Sequence, residues 1–442
     1  MRSFLVIWAG QALSMLGSGL SGFALGVWVY QQTGSATQFA LIALAATLPA
    51  VLIAPLAGVL VDRWDRRRVM ILSDLGAALG TAALALLYWQ GLLALWHILL
   101  ASALGACLGA FQGPAWQASV TLLVPPAQLA RASGLAQLAQ AAANIVAPLL
   151  AGLLLLSIGV TGVLLLDLAS FLLAMLSLVA VRIPRPAATG EGAVRRGLWR
   201  EARAGWAAIA DRRGLRDMLL LFAALNFVLG MVNALAVPML LSFTDAARLG
   251  GIVSVGGLGM LAGSLALSAW GGPRRKIHGV LGFLVALGFG IVLVGLRPSA
   301  SLVTAGLFLA MACAPVVNGS SQAIWQRKVP PALQGRVFAT RSMVALGAAP
   351  LAYLLSGPLA DRVFGPLLLA DGALAGSLGR VLGTGPGRGI GLMFILSGLA
   401  TAALSLLAYL NPALRRVEEE LPDALPRPES DAASPAAEPA GA

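Results

Sequence analysis

Gln117-Ala118, five residues, Val124-Pro125-Pro126-Ala127, three residues, Arg131: this string returns as Gln322-Ala323, five residues, Val329-Pro330-Pro331-Ala332, three residues, Arg336. The offset is 205 residues at every matched position. Pro-Pro stops a helix, because proline lacks the amide hydrogen and clashes with the preceding turn. The arginine after it meets lipid phosphates or a neighbouring unit. A weaker echo pairs the loop from Gly58 to Arg68 with Gly271-Gly272-Pro273-Arg274-Arg275-Lys276. The chain is therefore expected to contain two halves built to one plan, and the flanking sequence says of what.

Both copies lie between long apolar runs. A helix crossing the hydrocarbon needs roughly 20 mostly apolar residues. Such runs occur at 4–30, 38–61, 69–89, 92–123, 129–158 and 160–181, then at 217–243, 245–270, 280–296, 301–326, 334–359 and 389–410. About twelve spans result, six on each side of a polar stretch at 182–216, and the repeat falls between the fourth and fifth span of each six. Composition agrees, with 59% of the 442 residues hydrophobic and 11% charged. Soluble domains carry roughly a quarter charged residues, so a soluble globular protein is excluded. The 52 glycines suit closely packed membrane helices. The first run, opening Met-Arg-Ser, is too long for a signal peptide, lacks a small-residue cleavage site and is followed at once by further spans.

The formal charge is +12, and Lys276 and Lys328 are the only lysines. Cytoplasmic loops of membrane proteins are enriched in Lys and Arg. With the N-terminus inside, the inner loops hold Arg63, Arg66, Arg67, Arg68, Arg131, the cluster from Arg182 to Arg216, Arg274, Arg275, Lys276, Arg327, Lys328, Arg336 and Arg341; the outer side keeps Arg248, Arg297, Arg362, Arg380 and Arg388. Both termini are expected in the cytoplasm, and the charge needs no nucleic-acid partner. The domains expected are a bundle at 1–181, a linker at 182–216, a second bundle at 217–410 with an outer loop at 361–388, and a disordered tail at 411–442. In the linker Leu198, Ala202, Trp206 and Ile209 share one face opposite arginines, the pattern of an interfacial helix. Cys107 and Cys313 form neither a disulfide framework nor a metal spacing.

Gly58-x-x-x-Asp62-Arg63-x-x-Arg66-Arg67, between the second and third spans, resembles the signature loop of the major facilitator superfamily; Asp65 stands where many members have glycine. Gln11-x-x-Ser14-x-x-Gly17-Ser18, Ala110-Phe111-Gln112-Gly113-Pro114-Ala115 and the Val-Pro-Pro loops are similar to its drug:proton antiporter-3 branch, which includes macrolide-efflux and enterobactin-exporter-like proteins. Ala147-Pro148-Leu149-Leu150-Ala151-Gly152 is similar to the antiporter element Gly-Pro-x-x-Gly-Gly, with alanine replacing two glycines. The resemblance implies an all-α integral membrane fold of about twelve helices in two pseudo-symmetric six-helix bundles. It further implies a monomeric secondary transporter of the bacterial inner membrane that exports small amphiphilic molecules by alternating access, with protons as the coupling ion. Siderophore or secondary-metabolite export is the alternative cargo reading. A membrane sensor or a lipid-modifying membrane enzyme is the rival from another class. In the signature loop Asp62 can accept hydrogen bonds from amides at a nearby helix start and can pair with arginines across the halves. Such contacts form when the cytoplasmic side closes and break when it opens.

Polar residues recur at helical spacing inside the spans: Gln11, Ser14, Ser18 and Ser21; Gln112 and Gln117; Gln137, Gln140 and Asn144; Asn226 and Asn233; Asn318, Ser321 and Gln322. Facing lipid they would be costly, so they are expected to line a wet cavity or to bond neighbouring helices, the latter worth about 0.6 kcal/mol each. In the fold implied by the resemblance the first, fourth, seventh and tenth spans surround the cavity and the fifth is among its walls. Asp167 in the sixth span is a candidate proton site or a structural hydrogen-bond acceptor. Asp74 and Arg341 read as interface anchors or gate partners. Gly383-x-Gly385-x-Gly387-x-Gly389 has no preceding strand and no Lys-Ser/Thr after it, so it is no phosphate loop. Gly357-Pro-Leu-Ala-Asp361-Arg362 repeats the signature pattern on the outer face and is expected to be a helix end. His97 and His278 have no ligand spacing. No cofactor motif, ATP-binding motif or nucleophile–base pair is visible, so an enzyme is not expected.

Overall fold

The computed structural model describes residues 2–125, 128–181, 206–207 and 209–423. Twelve helices are long and apolar enough to cross a membrane: α1 Arg2–Thr33, α2 Ala36–Arg63, α3 Arg66–Trp89, α4 Leu95–Leu123, α5 Leu129–Ser157, α6 Gly159–Ala180, α7 Arg213–Leu241, α8 Ala246–Trp270, α9 Lys276–Leu296, α10 Ala300–Lys328, α11 Pro331–Pro358 and α12 Arg388–Leu410. Short connections make sequence neighbours antiparallel, so the N-terminus and the arginine-rich loops share one end of the bundle, the basic end.

Local chemistry sets the helix limits. Asp65 opens α3 by accepting from the amides of Arg67 at 3.0 Å and Arg68 at 3.3 Å, which accounts for an aspartate at that place in the loop. Asp245 does the same for α8 through the Arg248 amide at 2.8 Å. Gly271, at φ 76°, ends α8 in the left-handed conformation. The repeated Val-Pro-Pro strings have matching geometry: Val124 and Val329 are both buried, both extended, and both close the last turn of their helix, α4 and α10. An extended residue before proline is the sterically favoured choice.

The packing repeats as well. α1 packs on α5 and α6, α2 on α4, and α3 on α4 and α6; the same pairs recur six helices later as α7 with α11 and α12, α8 with α10, and α9 with α10 and α12. The main contacts between the sixes are α2 with α11 and α5 with α8. At the second crossing a methyl on Gly152 would collide with the Ala246 carbonyl, and one on Gly250 with the Pro148 carbonyl. Only glycine lets the backbones approach so closely. Ser254 Oγ donates to the Ile145 carbonyl at 2.7 Å across the same crossing. Both contacts lie toward the end away from the basic loops. The one buried cluster drawing on both sixes is there too, among the described residues: Val27 and Ala36 with Leu235, Met239, Leu249 and Ala360. At the basic end the clusters stay separate, Ile7, Val61, Met70 and Leu178 in one half and Leu215, Ile277, Trp325 and Val417 in the other. Leu265 on α8 is exposed there. The halves therefore meet at one end and part at the other.

Two expectations change. The tail was expected to be disordered from Asn411, yet Pro412–Arg415 and Val417–Glu420 are helical turns, with Leu414 and Val417 buried. Lys328 gives the reason. It is 4% exposed and its ammonium donates to the Glu418 and Leu421 carbonyls, with Asp423 2.8 Å away. A buried ammonium left without partners is strongly unfavourable, so the segment folds over it. Glu418 also accepts from the Ile277 amide at the start of α9 at 2.8 Å. Residues 424–442 lie outside the described residues. So does most of the expected interfacial helix; of its face, Ile209 is fully buried while Trp206 is 44% exposed.

Hydrogen bonding from Lys328 holds the Asp423 carboxyl below the usual carboxylate range, burial opposing and Arg327 adding to the effect. A depressed folded pKa stabilises the protein above the unfolded value near 4 and is lost as pH falls through the folded value. Asp423→Asn is expected to cost about 1–3 kcal/mol at neutral pH, read as a lower melting temperature in detergent. Variant and parent should converge as the medium is acidified below about pH 4.

Candidate transport site

Two buried carboxylates organise the first six helices. Asp74 on α3 is fully buried, about 12 Å along the helix from its basic end. Its oxygens accept from Gln11 Nε2 on α1 at 3.0 Å and Gln112 Nε2 on α4 at 2.6 Å, and Gln112 also donates to Gln11 Oε1 at 2.9 Å. Three helices are thus tied by one closed ring of polar side chains. Asp167 on α6 is 2% exposed. It accepts from Ser18 at 3.4 Å, Thr81 at 3.3 Å and, more loosely, Ser170 at 3.5 Å. Thr81 stands two turns above Asp74 on α3, about 10 Å along the axis. Gly17 lets α6 approach, since a methyl there would overlap Ser170 and Asp167.

One residue of the expected cavity lining is withdrawn from it: Ser14 is 5% exposed. Gln11 and Gln112 are half-buried and Ser18 is exposed, and all three are also bonded to Asp74 or Asp167. A carboxylate inside a bundle must collect donors, and α1 supplies them.

Other polar residues keep exposed surface. Gln140, Asn144, Asn233 and Asn318 are exposed, and Asn226 and Gln322 half-buried. On α5 the Gln140 and Asn144 face lies between the contacts to α1, at Ala147 and Gly19, and to α8, at Pro148 and Gly250. The exposed Leu138, Leu149, Leu153 and Leu156 lie on the far side of the helix, by 100° per residue. Gln140 donates to Asn144 at 3.2 Å and Asn226 to the Phe222 carbonyl at 2.7 Å, each within its own helix. Their remaining capacity is open to a guest.

Arg341, about 15 Å into α11, joins this surface. It donates to Gln322 Oε1 at 2.7 Å, and its guanidinium lies 6.0 Å from the Phe222 ring and 5.6 Å from the Trp325 ring, a cation–π arrangement. Sequence alone made it an anchor or gate partner. Its spacing with Gln322 and Trp325 spans two helices and left no one-dimensional signal.

In the signature loop, the side chains of Gly58, Asp62 and Arg63 lie outside the described residues. Arg66 is half-buried. Arg67 donates to the carbonyls of Leu178 at 2.8 Å and Val179 at 2.6 Å, capping α6 within its own half. At the other end, Asp361 is more than a helix end: its carboxylate reaches the other half and accepts from residues at the start of α2.

The sequence matches the family model of the Major Facilitator Superfamily over residues 7–353. The chain belongs to the major facilitator superfamily. It is a multi-pass membrane transporter. Macrolide efflux protein A of Streptococcus pyogenes is 29% identical over 377 residues, covering 81% of this chain and 90% of that protein. Multidrug efflux pump Tap of Mycolicibacterium fortuitum is 28% identical over 370 residues, covering 78% and 86%. Among solved structures, a bacterial homologue of the human lysosomal transporter Spinster, inward-facing and unoccupied, superposes with a TM-score of 0.70 at 15% identity, covering 95% of this chain and 98% of that one. A bacterial homologue of the iron transporter ferroportin, also inward-facing, gives 0.67 at 14%, covering 92% and 98%. These structural likenesses show the fold alone.

Committed and uncommitted polar groups of this major facilitator protein should separate on mutation. Asp74→Ala strands two half-buried amides and is expected to cost about 1–3 kcal/mol. Asn144→Ala, Asn233→Ala and Asn318→Ala should stay within about 0.5 kcal/mol of the parent. Thermal unfolding in detergent measures both.

Proposed function

We propose that the protein exports small amphiphilic organic molecules, of the size and polarity of macrolides, across the bacterial inner membrane, and that inward proton flow drives the export. The observation that carries this is the surface of uncharged amides on α5, α7 and α10, flanked by aromatic rings and one guanidinium, between halves joined at the far end only. Amides and rings offer hydrogen bonds and apolar contact without demanding a charged partner, which suits a bulky, weakly polar guest. The names of the efflux relatives support the direction. With the basic end in the cytoplasm, the described state receives cargo from inside. Gln140, Asn144, Asn226, Asn233, Asn318 and Gln322 would touch it, and Asp62 would close the cytoplasmic end as the halves rock.

Coupling needs a group that can take and release a proton. Asp167 and Asp74 are the membrane-embedded carboxylates available, and each sits in a network that discriminates between charged and neutral forms. Protonation of Asp167 would weaken its hydroxyl contacts to α1 and α3 and loosen the bundle.

Purified protein in vesicles, given an inward proton gradient, should move a macrolide against its concentration gradient. Asp167→Asn mimics the neutral carboxyl and should lower gradient-driven flux about tenfold or more while cargo binding persists. A gradient response equal to the parent's would remove Asp167 from coupling; no response in the parent to any ion gradient would remove antiport itself.

A further inference from the structure

We propose that Gly357-x-x-x-Asp361-Arg362 is a second gate, the counterpart of Gly58-x-x-x-Asp62-Arg63 at the opposite membrane face, and that Asp361 latches that face shut. The proposal rests on the alternating-access reading above. α2 and α11 are antiparallel neighbours across the two halves, so each ends where the other begins. Both end on the same residues: glycine, three positions, aspartate, arginine. A helix start exposes amides without intrahelical partners and carries partial positive charge. An aspartate just past the end of α11 is thus placed to serve the start of α2.

At the face away from the basic loops this contact is made. Asp361 Oδ2 accepts from Ser35 Oγ at 2.8 Å, the Thr37 amide at 2.9 Å and Thr37 Oγ1 at 2.7 Å, while Oδ1 accepts from the Ala36 amide at 3.1 Å. All four donors belong to the other half. Ser35 is the N-cap of α2 and bonds the Gln38 amide, so Asp361 serves amides its own cap leaves over. Gly357 is the fulcrum, because a methyl on it would run into the Thr37 Cα. A π-helical turn at Leu359–Phe364 follows at once and carries Asp361 over the start of α2.

The surroundings suit a contact that breaks and reforms. Asp361 and Arg362 are exposed, so on opening the carboxylate returns to water without a stranded buried charge. Directly beneath, Ala36 and Ala360 are buried in the joint core. Charge-assisted bonds to a helix start are stronger than neutral ones, enough to bias a two-state equilibrium without freezing it.

The test reads access from the two faces. In a Cys107→Ser, Cys313→Ser background, Val237→Cys places a thiol in the joint core on α7. In the parent it should react poorly with a membrane-impermeant maleimide applied outside. Asp361→Asn should raise that rate about fivefold or more, and Ser35→Ala with Thr37→Val, which removes two donors but keeps the carboxylate, should raise it less. Gly357→Val should raise it in a protein that still reaches the membrane. Outer labelling unchanged in all three would overturn the latch. Cargo-induced protection of an Asn144→Cys thiol from the inner face isolates the underlying reading. If it persists while outer labelling ignores Asp361, the latch alone fails; if the parent shows no such change, alternating access fails and the latch with it.

Discussion

Hydrocarbon offers no hydrogen bonds, and this constraint shapes the molecule at every level. Backbone groups are satisfied by making nearly every described residue of the spans helical. Side-chain polar groups must find each other, reach water or sit at an end. The protein does all three in different places. Asp74 and Asp167 draw serines, a threonine and glutamines onto themselves inside the first six helices. The asparagines of α5, α7 and α10 stay exposed or half-buried. Lys328 is buried at the basic end and recruits a tail segment to cover it.

The two halves share a plan but not the means of holding it. In the second half α9 lies against α10 and α12 through paired glycines, Gly290 with Gly306, Gly288 with Gly398 and Gly295 with Gly391, each so close that a methyl would strike backbone. Dispersion at such contacts is strong and insensitive to charge. In the first half, α1, α3, α4 and α6 are tied by carboxylates and their donors. Beyond Asp217 near the start of α7, the helices α7–α12 carry no Asp or Glu at all.

How much of this was legible depends on dimension. Span number, span direction and the two-fold plan are one-dimensional properties, carried by apolar run length, arginine placement and the Val-Pro-Pro repeat. Helix rotation is not. The spacing of Gln11, Ser14 and Ser18 correctly puts them on one face, but spacing cannot say whether that face meets cargo or a carboxylate on α6. The acceptors Asp74 and Asp167 were visible and could have prompted the question, since a buried carboxylate must be served by someone. The tail misled for a related reason: its polar composition reads as disorder until Lys328 is known to be buried beneath it. The Gly357–Arg362 pattern is also visible in the sequence, but at the face opposite the signature loop it reads as a helix end. What sequence lacked was the antiparallel pairing of α2 and α11, which makes the opposite face the place where a partner motif belongs.

That pairing sets how the halves meet. α2 and α5 of one half meet α11 and α8 of the other, and the repeat relates α5 to α11 and α2 to α8. Each half thus presents the same two helices, and close backbone approaches between them fall at Gly152, Gly250 and Gly357. Where small residues meet, less interlocked bulk has to leave its rotamer minima on separation. Specific strength must then come from a few polar contacts that water can take over, such as Ser254 with Ile145 and Asp361 with the start of α2. On the proposed alternating-access reading, such a seam between the halves would let the bundles lean two ways, with charges at its ends and in the carboxylate-held half setting the balance.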